Sequence, residues 1–148
     1  MVRDVLTLAA NVCDASGAVC KLGTARLTST GSFDTTFDGD GKALIDLSSF
    51  GATVGTARLL KINTRTYVAG QYFTAADNAA ASSFLFAMTD SGAGDTTFGT
   101  NGLRTYNNGA SGLEGYGGMS VNGNSAICIA GDRDVAAVPN GVAAMHRP

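Results

Sequence analysis

The chain has 148 residues, 20 of them Gly and only 2 Pro, with 45% hydrophobic and 15% charged residues and a formal net charge of -2. That length bounds it to one ordinary domain or a piece of a repeat array, and its ordinary apolar fraction without blocks of like charge excludes a disordered chain. Ten Lys and Arg are scattered from Arg3 to Arg147 against twelve acids, so no basic stripe is available for nucleic acid, and no apolar run approaches the roughly 20 residues of a membrane helix.

Glu114 is the only glutamate beside eleven aspartates. Asp bonds its own backbone in turns whereas Glu favours helix, so the sequence predicts little helix and many turns. At the N-terminus, residues 5–10 form an apolar stretch too short for a signal-peptide core, and the chain reads as beginning inside a repeat. Two candidate strands there flank the loop from Asp14 to Ala18, with Cys13 and Cys20 at its ends. A hairpin-closing disulfide between them suits an exported protein, and two free thiols suit a cytosolic one.

The tetrapeptide Asp34-Thr35-Thr36-Phe37 then returns as Asp95-Thr96-Thr97-Phe98. In the same register Gly31 aligns with Gly92, Gly41 with Gly102, and Val68-Ala69-Gly70 with Ile129-Ala130-Gly131. A partial earlier copy is visible where Leu8-Ala9-Ala10 stands for Val68-Ala69-Gly70 and Ala25-Arg26-Leu27 for Phe86-Ala87-Met88. The chain thus divides into a partial repeat over 1–28, holding the last two strands of a unit, a first unit over 29–89 and a second over 90–148.

Within the first unit, 42–47 alternates with Ala43, Ile45 and Leu47 on one face, 56–62 is apolar and branched, 66–72 follows a short turn, and 83–88 closes the unit. The second unit repeats these as 103–106, 116–121, 126–130 and 142–146, with Asn122-Gly123 as a hairpin turn. A helix over 75–86 is disfavoured by Asp77-Asn78 and Ser82-Ser83, and by Pro139 and Gly141 in the matching segment. The expected fold is all-β: a propeller-like array of four-stranded antiparallel sheets in two and a half units.

Taken together, Gly31-Ser32-Phe33-Asp34-Thr35-Thr36-Phe37, then Gly41-Lys42, then a hairpin ending Val68-Ala69-Gly70, resembles the delta-60 repeat, a bacterial repeat of long surface or secreted proteins regarded as propeller-like. The resemblance spans residues 5 to 146. It departs from the family where Gly94 replaces Phe33 and where Asn63-Thr64-Arg65 stands for the usual Gly turn. It implies an extracellular or cell-surface location and a role as a non-catalytic scaffold or interaction module. The alternative is a fragment of a larger propeller-type enzyme, or of a calcium-dependent binding protein, whose functional residues lie outside this chain.

The motif residues have structural work to do. Asp34 and Asp95 each accept a backbone N–H two or three residues on, Phe37 and Phe98 plug adjacent sheets, and Gly41 and Gly102 release the chain. A cation loop is the alternative reading of Asp34, Asp38 and Asp40, since hard oxygen ligands suit Ca²⁺. In the second copy, however, Gly99 and Asn101 stand in place of Asp38 and Asp40. No cofactor other than this calcium is expected.

Catalytic constellations are thin. His146, the only histidine, sits near the end of the chain as a solvent-facing strand end, Cys128 reads as a buried apolar residue, and Gly112 to Gly118 fits no phosphate loop. Asp132 and Asp134 read as a solvated loop rather than an acid–base pair. Recognition is expected in the loops 74–81, 107–112 and 132–140, toward an unidentified protein or glycan. With fewer units than a closed ring needs, the bare edges and faces call for a homo-oligomer or for further repeats of a parent chain.

Overall fold

The computed structural model describes residues 5–17, 19–45, 47, 53–73, 81–106, 114–122, 126–135 and 138–146. Among them are ten strands and no helix. β1 (Leu6–Cys13), β2 (Cys20–Leu27) and β3 (Lys42–Ile45) form a first antiparallel sheet. β4 (Thr53–Ile62), β5 (Arg65–Phe73), β6 (Ala81–Met88) and β7 (Leu103–Tyr106) form a second. β8 (Glu114–Asn122), β9 (Ala126–Val135) and β10 (Val138–His146) form a third, in which β9 is central.

The sheets run out of phase with the sequence repeat. Four strands per sheet were expected, but only the second sheet has four; the first and third have three. The physical reason lies in the corner that follows β2 and β6. Its tight turns return the chain antiparallel, so β3 pairs back onto β2, with Ala25 opposite Lys42, and β7 pairs back onto β6, with Phe86 opposite Leu103. The strand that opens a sequence unit therefore completes the sheet of the unit before it.

Local chemistry accounts for the hairpins. Ile62 stands opposite Arg65 across a two-residue turn in which Asn63 takes φ 54°, a left-handed conformation that Asn tolerates better than most side chains. Between β1 and β2 the Asp14 carbonyl accepts from Gly17 N–H, Asp14 N–H donates to the Val19 carbonyl, and Cys13 and Cys20 are joined by a disulfide. A bulge in β4 between Val54 and Ala57 surrounds Gly55, where a Cβ would meet the side chains of Gln71 and Phe73 at 2.9 Å. The turn at Asn122-Gly123 extends beyond the described residues, but Asn122 pairs opposite Ala126.

Several strands run longer than their apolar cores suggested. β9 continues to Val135 and β10 starts at Val138, so 132–135 and 138–140, expected as loop, are strand, while 136–137 lie outside the described residues. Asp132 pairs in register with Gly115 of β8 and Gly141 of β10. Pro139 is accommodated because β10 is an edge strand, where a missing N–H costs no ladder bond on the open side. Residues 81–88 are strand, not helix; 75–80, like the other proposed loop at 107–112, lie outside the described residues.

The three sheets stack face to face. Leu22, Phe37 and Ala43 of the first sheet and its corner pack against Val68, Phe84, Phe86 and Met88 of the second. On the other face of the second sheet, Tyr67, Ala69, Leu85 and Ala87 pack with Phe98 against Ile127 and Ile129 of the third. The middle sheet is thus buried on both faces, which is why 84–88 is apolar at every position.

Each corner contributes one phenylalanine to one seam. Phe37 is 2% exposed, with the Arg26 guanidinium 5.0 Å from its ring centroid. Phe98 meets Tyr67 edge to face at 5.8 Å. We expect Phe37→Ala to lower stability by about 3–5 kcal/mol, the range for a buried aromatic, read as a shift of the denaturation midpoint. An unchanged midpoint would show that the first seam does not depend on this ring.

Candidate functional site

The corners at Asp34 and Asp95 share one set of backbone bonds, though the left-handed residues within them differ: Gly39 in the first and Asn101 in the second. Asp34 N–H donates to the Arg26 carbonyl, Arg26 N–H to the Gly41 carbonyl, Phe37 N–H to the Asp34 carbonyl and Gly41 N–H to the Phe37 carbonyl. Each of these bonds recurs 61 positions later, through Asp95, Ala87, Gly102 and Phe98. Isolated bridges between Leu27 and Phe33, and between Met88 and Gly94, keep the same offset. Gly41 and Gly102 take φ of 87° and 90°, and a Cβ there would come within 3.0 Å of the Asp34 or Asp95 nitrogen. Asp38 and its counterpart Gly99 both sit at positive φ, so that exchange follows backbone shape rather than charge.

The carboxylates are fully engaged. Asp34 Oδ1 accepts from the Thr36 N–H at 3.0 Å and from the Thr36 hydroxyl at 2.6 Å, while Oδ2 faces Arg26 Nε at 2.9 Å. Asp95 repeats this with Thr97 at 2.9 and 2.6 Å and with Arg65 Nε at 2.6 Å. Both side chains are buried. The threonine hydroxyl first, then its amide, and also the guanidinium hold each carboxyl below the ordinary aspartate range, against burial, which pushes the other way.

The arginines are what sequence reasoning missed. Arg26 stands on β2 at the position that Ala87 occupies on β6, so the repeat does not carry the cation forward. Leu6 pairs with Leu27 and Thr66 with Met88, which makes Val5 the structural counterpart of Arg65. One corner therefore combines Arg26 with Val5, and the other Ala87 with Arg65. The guanidinium has changed strands while reaching the same carboxylate. The available signals were an arginine inside the apolar run Ala25-Arg26-Leu27 and the departure at Asn63-Thr64-Arg65 from the usual glycine turn.

A shallow depression at the seam of the first two sheets is lined by Val5, Arg26, Asp34, Thr36, Lys61, Asp90 and Ser91. Lys61 Nζ lies 2.8 Å from Asp90 Oδ1, the Arg26 guanidinium donates to the Asp90 carbonyl and to the Thr36 hydroxyl, and Asp38 N–H donates to the Ser91 carbonyl at 2.8 Å. Each cation lining it already faces a carboxylate, so the arrangement ties one corner to the next.

The three candidate calcium ligands are separated in role. Asp34 is held by Arg26 and Thr36, and Asp40 accepts from the Lys42 N–H at 2.8 Å, with Lys42 Nζ at 3.7 Å. Among the described residues no group of three His, Cys, Asp or Glu side chains converges on a metal position. Cys128 is half-buried in β9 and free, rather than fully buried. Asp132 and Asp134 lie within β9, and His146 ends β10 opposite Ile127. Of the segment 112–118, residues 114–118 belong to β8. Tyr106 places a buried hydroxyl, without a hydrogen-bond partner among the described residues, beside the second core, and burial raises its pKa.

Comparison with family models, with curated proteins and with solved structures finds no match to the chain.

Two predictions follow from the carboxylates. Because their pKa values are depressed in the folded state, their contribution is complete above about pH 4 and is lost as pH falls through the lower folded values. Thermal melts should therefore show a steeper acid-side loss for the native chain than for Asp34→Asn combined with Asp95→Asn; parallel curves would refute the assignment. Millimolar calcium should leave the melting midpoint unchanged, since the Asp34 carboxylate is already occupied, and a raised midpoint would restore the cation loop.

Proposed function

We propose that this chain is a non-catalytic repeat scaffold or interaction module of a secreted or surface protein, in keeping with its resemblance to the delta-60 repeat. The observation that carries this reading is the corner itself. It is built twice with the same backbone bonds and the same carboxylate, yet with guanidinium groups from different strands. What recurs is a geometry, and the charged groups within it hold the chain rather than face a substrate.

Three further features support the reading. The sheets stack in chain order, so that each seam is sealed by a phenylalanine from the corner before it. The disulfide at the tip of the first hairpin suits an oxidising compartment. A stack of this kind has two open ends, to which further repeats of a parent chain, or other copies, can add. Within this reading the sheets are consecutive blades of a propeller-like array, and the module presents its loops to a protein or glycan ligand.

The folded chain should be tested on a glycan array, in a pull-down from surface-protein extracts, and against glycoside, ester and peptide substrates. Binding that is lost on unfolding identifies an interaction module. Silence in both binding assays with the fold intact identifies a scaffold. Turnover by the purified chain that survives further purification overturns the proposal.

A further inference from the structure

The turn that leads into each corner carries one set of bonds in both copies. Thr28 N–H donates to the Ser32 carbonyl and Gly31 N–H to the Thr28 carbonyl; Thr89 with Ala93 and Gly92 with Thr89 repeat both. Gly31 and Gly92 share the left-handed conformation, with φ of 83° and 91°. The second turn is occupied. A Cβ on Gly92 would sit 3.1 Å from the Phe37 ring, the Asp90 carbonyl accepts from the Arg26 guanidinium, and the Ser91 carbonyl accepts from Asp38 N–H at 2.8 Å.

At the first turn the matching residues line an open cleft, formed by Val5, Leu6, Leu27, Thr28, Ser29 and Gly31. A Cβ on Gly31 would meet no described atom within 4 Å, and among the described residues no donor reaches the Ser29 or Thr30 carbonyl. Strand register extends the comparison along the sheets: Leu27 is the counterpart of Met88, Leu6 of Thr66 and Leu8 of Val68. Met88, Thr66, Val68 and Gly92 are buried, whereas Leu6 is 56% and Leu8 44% exposed, Leu27 is half-buried and Gly31 is exposed. Leucine is no less apolar than threonine or valine, so the difference lies in what stands opposite.

Resting on the scaffold reading above, we propose that this cleft is a socket for the corner phenylalanine of a further sheet unit of the same kind, one whose Asp-Thr-Thr-Phe corner also carries an arginine. The ring lies against Gly31 and Leu27, the guanidinium reaches the Ser29 carbonyl, and the amide after the phenylalanine reaches the Thr30 carbonyl. Phe37, Arg26 and Asp38 make those three contacts at the second turn. A folded second copy of this chain does not supply the ring, because Phe37 and Phe98 are 2% and 4% exposed within their own seams. The occupant is a unit whose corner phenylalanine has no seam of its own to fill, and its sheet covers Leu6 and Leu8 on docking.

The test supplies such a unit by joining a second copy of residues 1–60 ahead of Met1 of the full chain, which keeps the offset of 60 between Leu6 and Thr66. In a Cys128→Ser background, Leu6→Cys in the original segment reports on the cleft through the rate at which its thiol is alkylated. The expected result is labelling at least ~10-fold slower in the extended chain than in the original, with a single melting transition at a raised midpoint. Replacing the added phenylalanine by Ala should reverse both effects. Ser29→Trp in the original segment, an exposed position that fills the cleft, should do the same while leaving the melt of the unextended chain unchanged, so the result does not hang on the added unit folding without its phenylalanine. Equal labelling rates in the two chains, separate melting of the added unit, or a gain that survives both substitutions would each overturn the socket. So would protection of the thiol in the unextended chain that deepens with concentration, which assigns the cleft to a second copy. None of these readouts is ligand binding or turnover, so they leave the scaffold reading to its own test.

Discussion

A carboxylate removed from water must find hydrogen bonds and a counter-charge, and the architecture hangs on how two aspartates meet that demand. Asp34 and Asp95 each draw in the amide and hydroxyl of the second residue on and one guanidinium. That set of bonds bends the chain so that the phenylalanine one residue later enters the seam and the next strand returns along the last. A neutral or longer side chain would have to replace several bonds at once.

The placement of the arginines shows which part of this device is rigid. Neighbouring strands are about 4.8 Å apart, a distance that the long, flexible stem of arginine spans easily. A guanidinium on either strand can reach the same carboxylate, so Arg26 with Val5 and Ala87 with Arg65 are interchangeable solutions. The aspartate has no such freedom, because its oxygen must meet an amide two residues on, at a separation set by the backbone. That the cation differs in strand while the aspartate holds its place in both corners follows from side-chain length.

The same corner explains why sheet and repeat run out of phase. By returning β3 and β7 onto the preceding strands, it links each sheet covalently and by hydrogen bonds to the unit that follows. The seam contacts reinforce this: the first corner bonds to the turn at Asp90 and Ser91, where Gly92 passes so close to the Phe37 ring that a Cβ would sit 3.1 Å from it. Consecutive units are thereby tied at the rim by polar bonds and in the middle by apolar packing.

All-β architecture, the extended segments, and the turn at Asp-Thr-Thr-Phe were legible in the sequence, because each rests on chemistry within a few residues: alternation of apolar side chains, glycines at positive φ, and an aspartate bonding its own backbone. That Cys13 and Cys20 lie close enough to bridge was legible for the same reason, since only a short loop separates them, whereas the sequence left bridge and free thiols both open. Tertiary structure alone decided which sheet each strand joins, which arginine neutralises which aspartate, that 132–135 and 138–140 extend as strand, and which side chains of the first sheet stay exposed. Those outcomes depend on register between strands far apart in the chain, and a pairing shifted by one residue would exchange buried and exposed sides without altering a single local signal.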